Sequence, residues 1–139
     1  MTYRQLRDKQ EKEFNAFPCF YAFSNMQFEE GMKKLGVSAA ELYQGPGGMF
    51  YRKCDSDKLR AMIASFDKEL EDAYEDDDFL YDAFMYELGN HEYCITLDPE
   101  DTCEALGYSV DEVMLDTRRH NIFKQAEKEY LKGCGIKEA

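Results

Sequence analysis

The chain contains 139 residues, of which 29 are acidic and 17 are basic, so its formal net charge is −12 at pH 7. Because phosphate and anionic lipid are bound through Lys and Arg, this charge argues against direct nucleic-acid binding and against docking on a membrane surface. A content of 44% hydrophobic and 14% aromatic residues excludes a disordered chain, and the length predicts a single domain over residues 1–139.

The first elements in chain order are a surface helix, a strand and a capped helix. Residues 2–15 are polar and favour a helix, whereas the aromatic run 17–23 is typical of a buried strand. Ser24 or Asn25 is the predicted cap of the next helix, which ends at Gly36. The predicted core face of that helix consists of Met26, Phe28, Met32 and Leu35.

A short helix and a second strand are predicted next. Ser38 begins a helix through about Tyr43, with Glu41 at the reciprocal position of a capping box. The Gly-rich segment 45–48 predicts a turn or loop, and residues 49–53 read as a strand.

The second half of the chain is predicted to be mostly helical. Asp55 or Ser56 caps the longest helix, whose apolar residues recur every three or four positions as far as Tyr74. The apolar stripe stops at residues 75–78 and a new one follows, so a kink or break is predicted near Asp76.

A third strand is predicted at residues 91–97. A helix then starts at Asp98-Pro99-Glu100 and ends at Gly107, because proline suits the first helical position. Ser109 is the predicted cap of a last helix, from about residue 110 to 132, which Gly133 closes.

These elements predict an α+β fold, in which a small three-stranded antiparallel sheet packs with about five to six helices. Residues 35–42 and 106–113 share the pattern Leu-Gly-x-Ser-x-x-Glu followed by an apolar residue. The pattern indicates either an internal strand-helix-helix duplication or two independent uses of the same helix caps.

The segment from Asp67 to Glu87 contains ten acidic residues and one basic residue, Lys68. If one helix ran through it, a column of carboxylates would form from Asp67, Glu71, Glu75, Asp78 and Asp82. Like charges four residues apart destabilise a helix by about 0.2–0.5 kcal/mol per pair, which favours a role in binding a partner. The leading hypothesis is a non-enzymatic interaction protein that mimics nucleic acid towards a basic protein partner; the alternative is a face that only solubilises the protein.

Two further functions remain open. A small enzyme or ligand-binding protein would have its site near His91, with Glu87 and Tyr93, although Gly89 interrupts the helical spacing of the first pair. A structural or regulatory homodimer would be joined through outward-facing residues of an aromatic helix, namely Tyr81, Met85 and Tyr86. No motif of a known catalytic class is present, so an enzyme is the less favoured reading and no catalytic residue is assigned.

The cysteines indicate the compartment. Their number is odd and no CxxC pair occurs among Cys19, Cys54, Cys94, Cys103 and Cys134. A secreted disulfide scaffold has an even set of cysteines, so reduced thiols in a cytoplasmic protein are predicted. We predict no cofactor, no metal and no membrane span, and leave monomer and homodimer open.

Three segments carry a resemblance to known proteins: residues 13–18, residues 20–31 and residues 87–93. Glu-Phe-Asn-Ala-Phe-Pro, Phe-Tyr-Ala-Phe-Ser-Asn and Glu-Leu-Gly-Asn-His-Glu-Tyr resemble a group of small acidic proteins of gut anaerobic bacteria, often encoded on mobile elements. That group has no established activity, so no functional residue is carried over. The resemblance implies a bacterial cytoplasmic setting and favours an anti-defence or element-maintenance role. Antirestriction proteins that mimic DNA resemble the chain only in size and acidity, since their motifs are missing.

Overall fold

The computed structural model describes residues 1–136 and has an α+β fold. Its residues form two compact units. The sheet unit comprises Lys9–Phe66, and the helical unit comprises residues 1–8 together with the chain from Asp67 onward. Helices α1 (Tyr3–Asn15) and α3 (Ser56–Ala73) each contribute residues to both units. The single-domain organisation stays a prediction.

The sheet unit contains the three strands, β1 (Cys19–Tyr21), β2 (Leu42–Gln44) and β3 (Met49–Arg52). Strand β3 lies between the other two, and both pairs are antiparallel. Phe20 of β1 lies opposite Phe50 of β3, with the two rings stacked at a centroid distance of 5.4 Å. The sequence therefore predicted the class of sheet correctly, because short aromatic strands flanked by turn residues are typical of it.

Helix α2 (Asn25–Leu35) covers this aromatic cluster. Ser24 caps it by accepting the Gln27 N–H, and Phe28 contacts the Phe50 ring at 4.9 Å. Helix α2 can approach β1 closely because the buried residue 31 is a glycine and has no side chain. A Cβ at this position would collide with the Phe20 ring. Met26, predicted as a core residue, is instead 73% exposed, since it lies in the first turn on the solvent side.

The prediction of a strand at residues 91–97 is wrong, and the third strand is β2. Residues 45–48 join β2 to β3, and such a short loop costs little entropy to close. The predicted helix through Tyr43 accordingly stops after one 3-10 turn at Ala39–Glu41. Residues 91–97 contain a single helical turn, α5 (Tyr93–Thr96), bounded by Glu92 and Leu97 in the left-handed conformation. Burial of the Tyr93 ring in the helical core overrides the strand-like composition.

The helical unit is built on α4 (Asp77–Asn90) and α8 (Thr117–Gly133). The Phe84 and Phe123 rings meet edge to face at 5.4 Å, and both are almost fully buried. Two short helices, α6 (Glu100–Ala105) and α7 (Val110–Met114), complete the unit.

The single last helix predicted from Ser109 is two helices, because Asp116 caps a new one. Its carboxylate accepts the backbone N–H of Arg119 at 2.9 Å, while Leu115 between α7 and α8 is 82% exposed. An aspartate N-cap outweighs helix continuity here, since it satisfies an otherwise unpaired N–H at the start of α8.

The two segments with the shared Leu-Gly-x-Ser pattern end and begin helices in the same way. After Gly36 and after Gly107, the next residue donates its N–H to the carbonyl five positions back, at 3.1 Å and 3.0 Å. Glu41 and Glu112 then accept the N–H groups of Ser38 and Ser109. Only the first segment is preceded by a strand, so the shared structure is limited to the caps, and duplication stays a prediction.

Candidate functional site

The acidic segment is divided between two helices. Helix α3 ends at Ala73, and Asp76 caps α4 by accepting the Phe79 N–H at 3.0 Å, which confirms the predicted break. The guanidinium of Arg118 holds this junction, because it donates to the Tyr74 carbonyl and the Asp77 carboxylate at 2.7 Å each. The five carboxylates therefore do not form one continuous helical column.

The five predicted partner-binding carboxylates fall into two groups. Asp67 and Glu71 line one cavity of the helical unit, and Asp78 and Asp82 line another. Glu75 is exposed at the junction, where its backbone carbonyl accepts a hydrogen bond from Arg118.

Asp82 differs from the other four because it has a structural partner. It is half-buried, and its carboxylate accepts the backbone N–H of Tyr3 at 3.1 Å, which fixes the start of α1. The side chains of the remaining four are exposed.

The aromatic residues predicted to face outward are only partly exposed. Tyr81 and Met85 are half-buried and pack against the core, whereas Tyr86 is 40% exposed. The Tyr86 ring lies 5.8 Å from the Tyr3 ring, and the Arg4 guanidinium lies 5.9 Å from its centroid. The homodimer that these residues would join stays a prediction.

Glu87 and His91 do come together, in a buried network. The Glu87 side chain, only 4% exposed as a residue, accepts the Tyr3 hydroxyl at 2.7 Å. Its second oxygen lies 3.1 Å from His91 Nε2 and accepts the Asn90 amide at 3.3 Å. Burial, and then this hydrogen bond to Glu87, raise the pKa of Tyr3 well above its usual range, so its hydroxyl remains a donor.

No residue of this network lines either cavity described above. Neither Glu87 nor His91 lines any of the three cavities described in residues 1–136. Tyr93, the third residue of the predicted site, instead donates its hydroxyl to Glu127. Both oxygens of Glu87 already have partners, so the arrangement joins α1 to α4 rather than exposing a general base.

The net negative charge of the protein is carried by one unit. The helical unit contains 22 acidic and 9 basic residues, a formal charge of −13, whereas the sheet unit contains 7 acidic and 8 basic residues, a formal charge of +1. The net negative field of the protein therefore originates in the helical unit.

Sequence reasoning missed a second feature of the helical unit, a cavity where Arg7, Tyr74 and Arg119 are brought together. These residues lie on α1, directly after α3, and on α8, so no spacing in the sequence could have related them. Arg7 is one of two arginines in the polar first helix, and its position in the sequence gave no signal that it lines this cavity.

Neither a metal site nor a membrane-spanning helix is found among the described residues. Among residues 1–136, no group of three or more His, Cys, Asp or Glu side chains is arranged to hold a metal ion. Within the same residues, none of the helices combines the length and apolar character needed to cross a bilayer.

A family model matches most of the chain. Residues 2–129 match a family described as "Family of unknown function (DUF7659)". No curated protein and no solved structure matches the chain. The matched range includes every lining residue of the cavities except Met1, the buried Glu87 network and all but the end of α8.

Proposed function

We propose that the chain, which belongs to the DUF7659 family of unknown function, is a non-enzymatic interaction protein whose helical unit binds a basic protein partner. The charge asymmetry carries the proposal, because one unit bears −13 and the other +1. Such an imbalance steers a basic partner towards one unit of the chain and repels nucleic acid and anionic lipid.

The contact surface would include the exposed carboxylates of the acidic segment. Asp67 and Glu71 lie on the last turns of α3, and Asp78 lies on the first turn of α4. All three are exposed and form no ion pair among residues 1–136, so a partner's Lys or Arg would not have to displace an internal one.

Charge recognition fits the geometry better than mimicry of a phosphate backbone. Mimicry at regular spacing needs one helix through the segment, and the chain breaks between Ala73 and Asp77 instead. Asp82 is also half-buried and bonded to the backbone of Tyr3. The proposal is therefore a patch of carboxylates and not a copy of a nucleic-acid strand.

A bacterial cytoplasmic setting and carriage on a mobile element belong to the same proposal. The resemblance of residues 13–18, 20–31 and 87–93 supports them. In that setting, the basic partner would be a nucleic-acid-handling protein of the host, since its own substrate requires a positively charged surface.

The test compares two triple charge reversals of equal size. The first variant carries Asp67→Lys, Glu71→Lys and Asp78→Lys in the helical unit. The matched control carries reversals of three exposed residues of the sheet unit, Glu11→Lys, Glu29→Lys and Glu30→Lys. Each tagged full-length chain is used to capture proteins from bacterial lysate, and a captured basic protein is then purified for calorimetry at several salt concentrations.

We expect the helical-unit variant to bind the purified partner at least about tenfold more weakly, which corresponds to about 1.4 kcal/mol. The control should bind like the wild type, and affinity should fall with salt because exposed charges are screened. Equal losses in both variants, or binding that does not depend on salt, would refute the assignment to the acidic patch. Circular dichroism of both variants verifies that they are folded.

A further inference from the structure

Residues 92–98, here called the 92–98 turn, display two large apolar side chains to solvent. Ile95 is 75% exposed and lies in the single helical turn α5, and Leu97, which follows that turn, is 58% exposed. Neither side chain belongs to the core of the helical unit. Two such residues within three positions form a small apolar patch, whereas exposed apolar residues elsewhere on a protein surface are normally single.

The backbone of the 92–98 turn is strained at two positions. Glu92 and Leu97 have φ values of 52° and 53°, and among residues 1–136 they are the two residues other than glycine with positive φ. Glycine adopts this conformation freely, whereas a side chain disfavours it, so the surrounding structure has to impose it. Leu97 is therefore unfavourable in two respects, since its backbone suits glycine and its exposed position suits a polar side chain.

Contacts to the helical core hold the turn in this conformation. The Tyr93 ring is buried, and its hydroxyl donates to Glu127 on α8. The backbone N–H of Cys94 donates to the Tyr130 hydroxyl at 3.5 Å. Within the turn, the Leu97 N–H donates to the Tyr93 carbonyl at 2.8 Å. The apolar pair is thus presented by a fixed backbone, which limits the entropy lost when a partner binds.

The charged residues that flank the apolar pair in the chain are acidic. Four of them have exposed carboxylates, namely Glu92, Asp98, Glu100 and Asp101. No Lys or Arg occurs in the chain between Lys68 and Arg118. On α8, the ammonium of Lys124 is already paired at 3.1 Å with Glu127, the acceptor of the Tyr93 hydroxyl. A segment that combines apolar and basic residues is therefore complementary both to the apolar pair and to the charge around it.

We propose that the 92–98 turn is a docking site for a basic amphipathic segment of a protein partner. The apolar face of that segment covers Ile95 and Leu97, and its Lys or Arg side chains meet the flanking carboxylates. The inference rests on the proposed function in one respect, namely that the partner is basic. It adds a surface separate in sequence from Asp67, Glu71 and Asp78, and that surface supplies an apolar contact which those carboxylates lack.

The experiment titrates the full-length chain with three defined peptides by calorimetry. The first peptide is a helix of Leu and Lys with every leucine on one face. The second has the same composition with its leucines scattered around the helix, and the third has Glu in place of every Lys. The variants are Ile95→Thr and Leu97→Asn, because asparagine tolerates the left-handed conformation. The matched controls are Ile63→Thr and Leu115→Asn, which change exposed residues of the same types elsewhere in the chain.

We expect the first peptide to bind the wild type and both controls, and the other two to bind at least about tenfold more weakly. Ile95→Thr and Leu97→Asn should each weaken binding about fivefold or more, as expected when a buried aliphatic contact is lost. Without peptide, Leu97→Gly should melt no lower than the wild type, since glycine relieves the backbone strain and the leucine side chain is not part of the core. Circular dichroism verifies that every variant is folded.

Any of four results would overturn the proposal. The first is that the one-faced Leu–Lys peptide does not bind the wild type. The second is that the scattered or the Glu-containing peptide binds as tightly. The third is that Ile95→Thr and Leu97→Asn both bind like the wild type. The fourth is that Leu97→Gly melts clearly lower, which would assign the leucine to folding. All these variants retain Asp67, Glu71 and Asp78, so failure here is separable from failure of the charge-reversal test of the acidic patch.

Discussion

Replacing Tyr3 by Phe isolates the hydrogen bond that joins α1 to the buried Glu87. The Tyr3 hydroxyl donates to Glu87 Oε1 at 2.7 Å, and both residues are almost fully buried. The ring itself packs against Phe79 at 6.0 Å and against Tyr86 at 5.8 Å, contacts that Phe can retain. The change therefore removes one donor and little packing.

The expected cost follows from the charge of the acceptor. A hydrogen bond to a charged group is worth about 1.5–3 kcal/mol, and the remaining donors, Asn90 and His91, both serve the other oxygen of Glu87. We expect the free energy of unfolding to fall by about 2 kcal/mol. Tyr86→Phe is the matched control, since Tyr86 is 40% exposed and its change should cost under about 0.5 kcal/mol.

Urea unfolding followed by circular dichroism measures this difference. With a urea dependence of about 2 kcal/mol per molar, the Tyr3→Phe midpoint should fall by about 1 M. A cycle with Glu87→Gln should show a coupling of about 1 kcal/mol, because the amide accepts the same hydroxyl less strongly. Equal midpoints for Tyr3→Phe and Tyr86→Phe would refute the claim that Glu87 depends on this donor.

Three other perturbations test the packing and the titration of the fold. Gly31→Ala should lower the free energy of unfolding by about 1–3 kcal/mol, because the added Cβ would collide with the Phe20 ring. Gly133→Ala is the control, since the space around Gly133 is open. Equal stability of the two variants would contradict the close approach of α2 to Phe20. Arg118→Gln should speed amide hydrogen exchange at residues 74–78, since three hydrogen bonds at the α3–α4 junction are lost, and unchanged exchange would be evidence against that role. Burial raises the pKa of three tyrosines above the ordinary value of 10, so the folded state holds their protons more tightly than the unfolded state. Stability should therefore be complete below pH 10 and fall as the pH rises above it, and the share of the tyrosinate absorbance at 295 nm that belongs to these three residues should appear only together with unfolding. Ionisation of all ten tyrosines in the folded chain would contradict it.

The features that the sequence predicted correctly are those determined within a few residues. The Ser24 cap, the Gly36 stop and the break at Asp76 each depend on a side chain or a glycine acting on the nearest turn. The aromatic run around Phe20 and the segment following the glycine turn are also strands, because their composition suits a half-buried sheet. Fold class follows from such local signals.

The candidate site was predictable only in part. Glu87 and His91 were paired correctly by their spacing of four residues, and their hydrogen bond is present. What spacing could not show is that the carboxylate would be almost completely buried beneath Tyr3, 84 positions earlier in the chain. Because of that contact, the Glu87 carboxylate is not an accessible general base and instead links α1 to α4.

The sequence by itself determined the net charge, the helix caps and the presence of short aromatic strands, because composition and cap chemistry act locally. Tertiary structure alone decided that β2 rather than residues 91–97 completes the sheet, and that the carboxylates of α3 and α4 separate into two groups. It also decided that the net negative charge belongs to one unit and that Arg7 and Tyr74 line the same cavity. The physical reason is that burial and charge proximity depend on which distant segments pack together, and no periodicity within one segment encodes its partner.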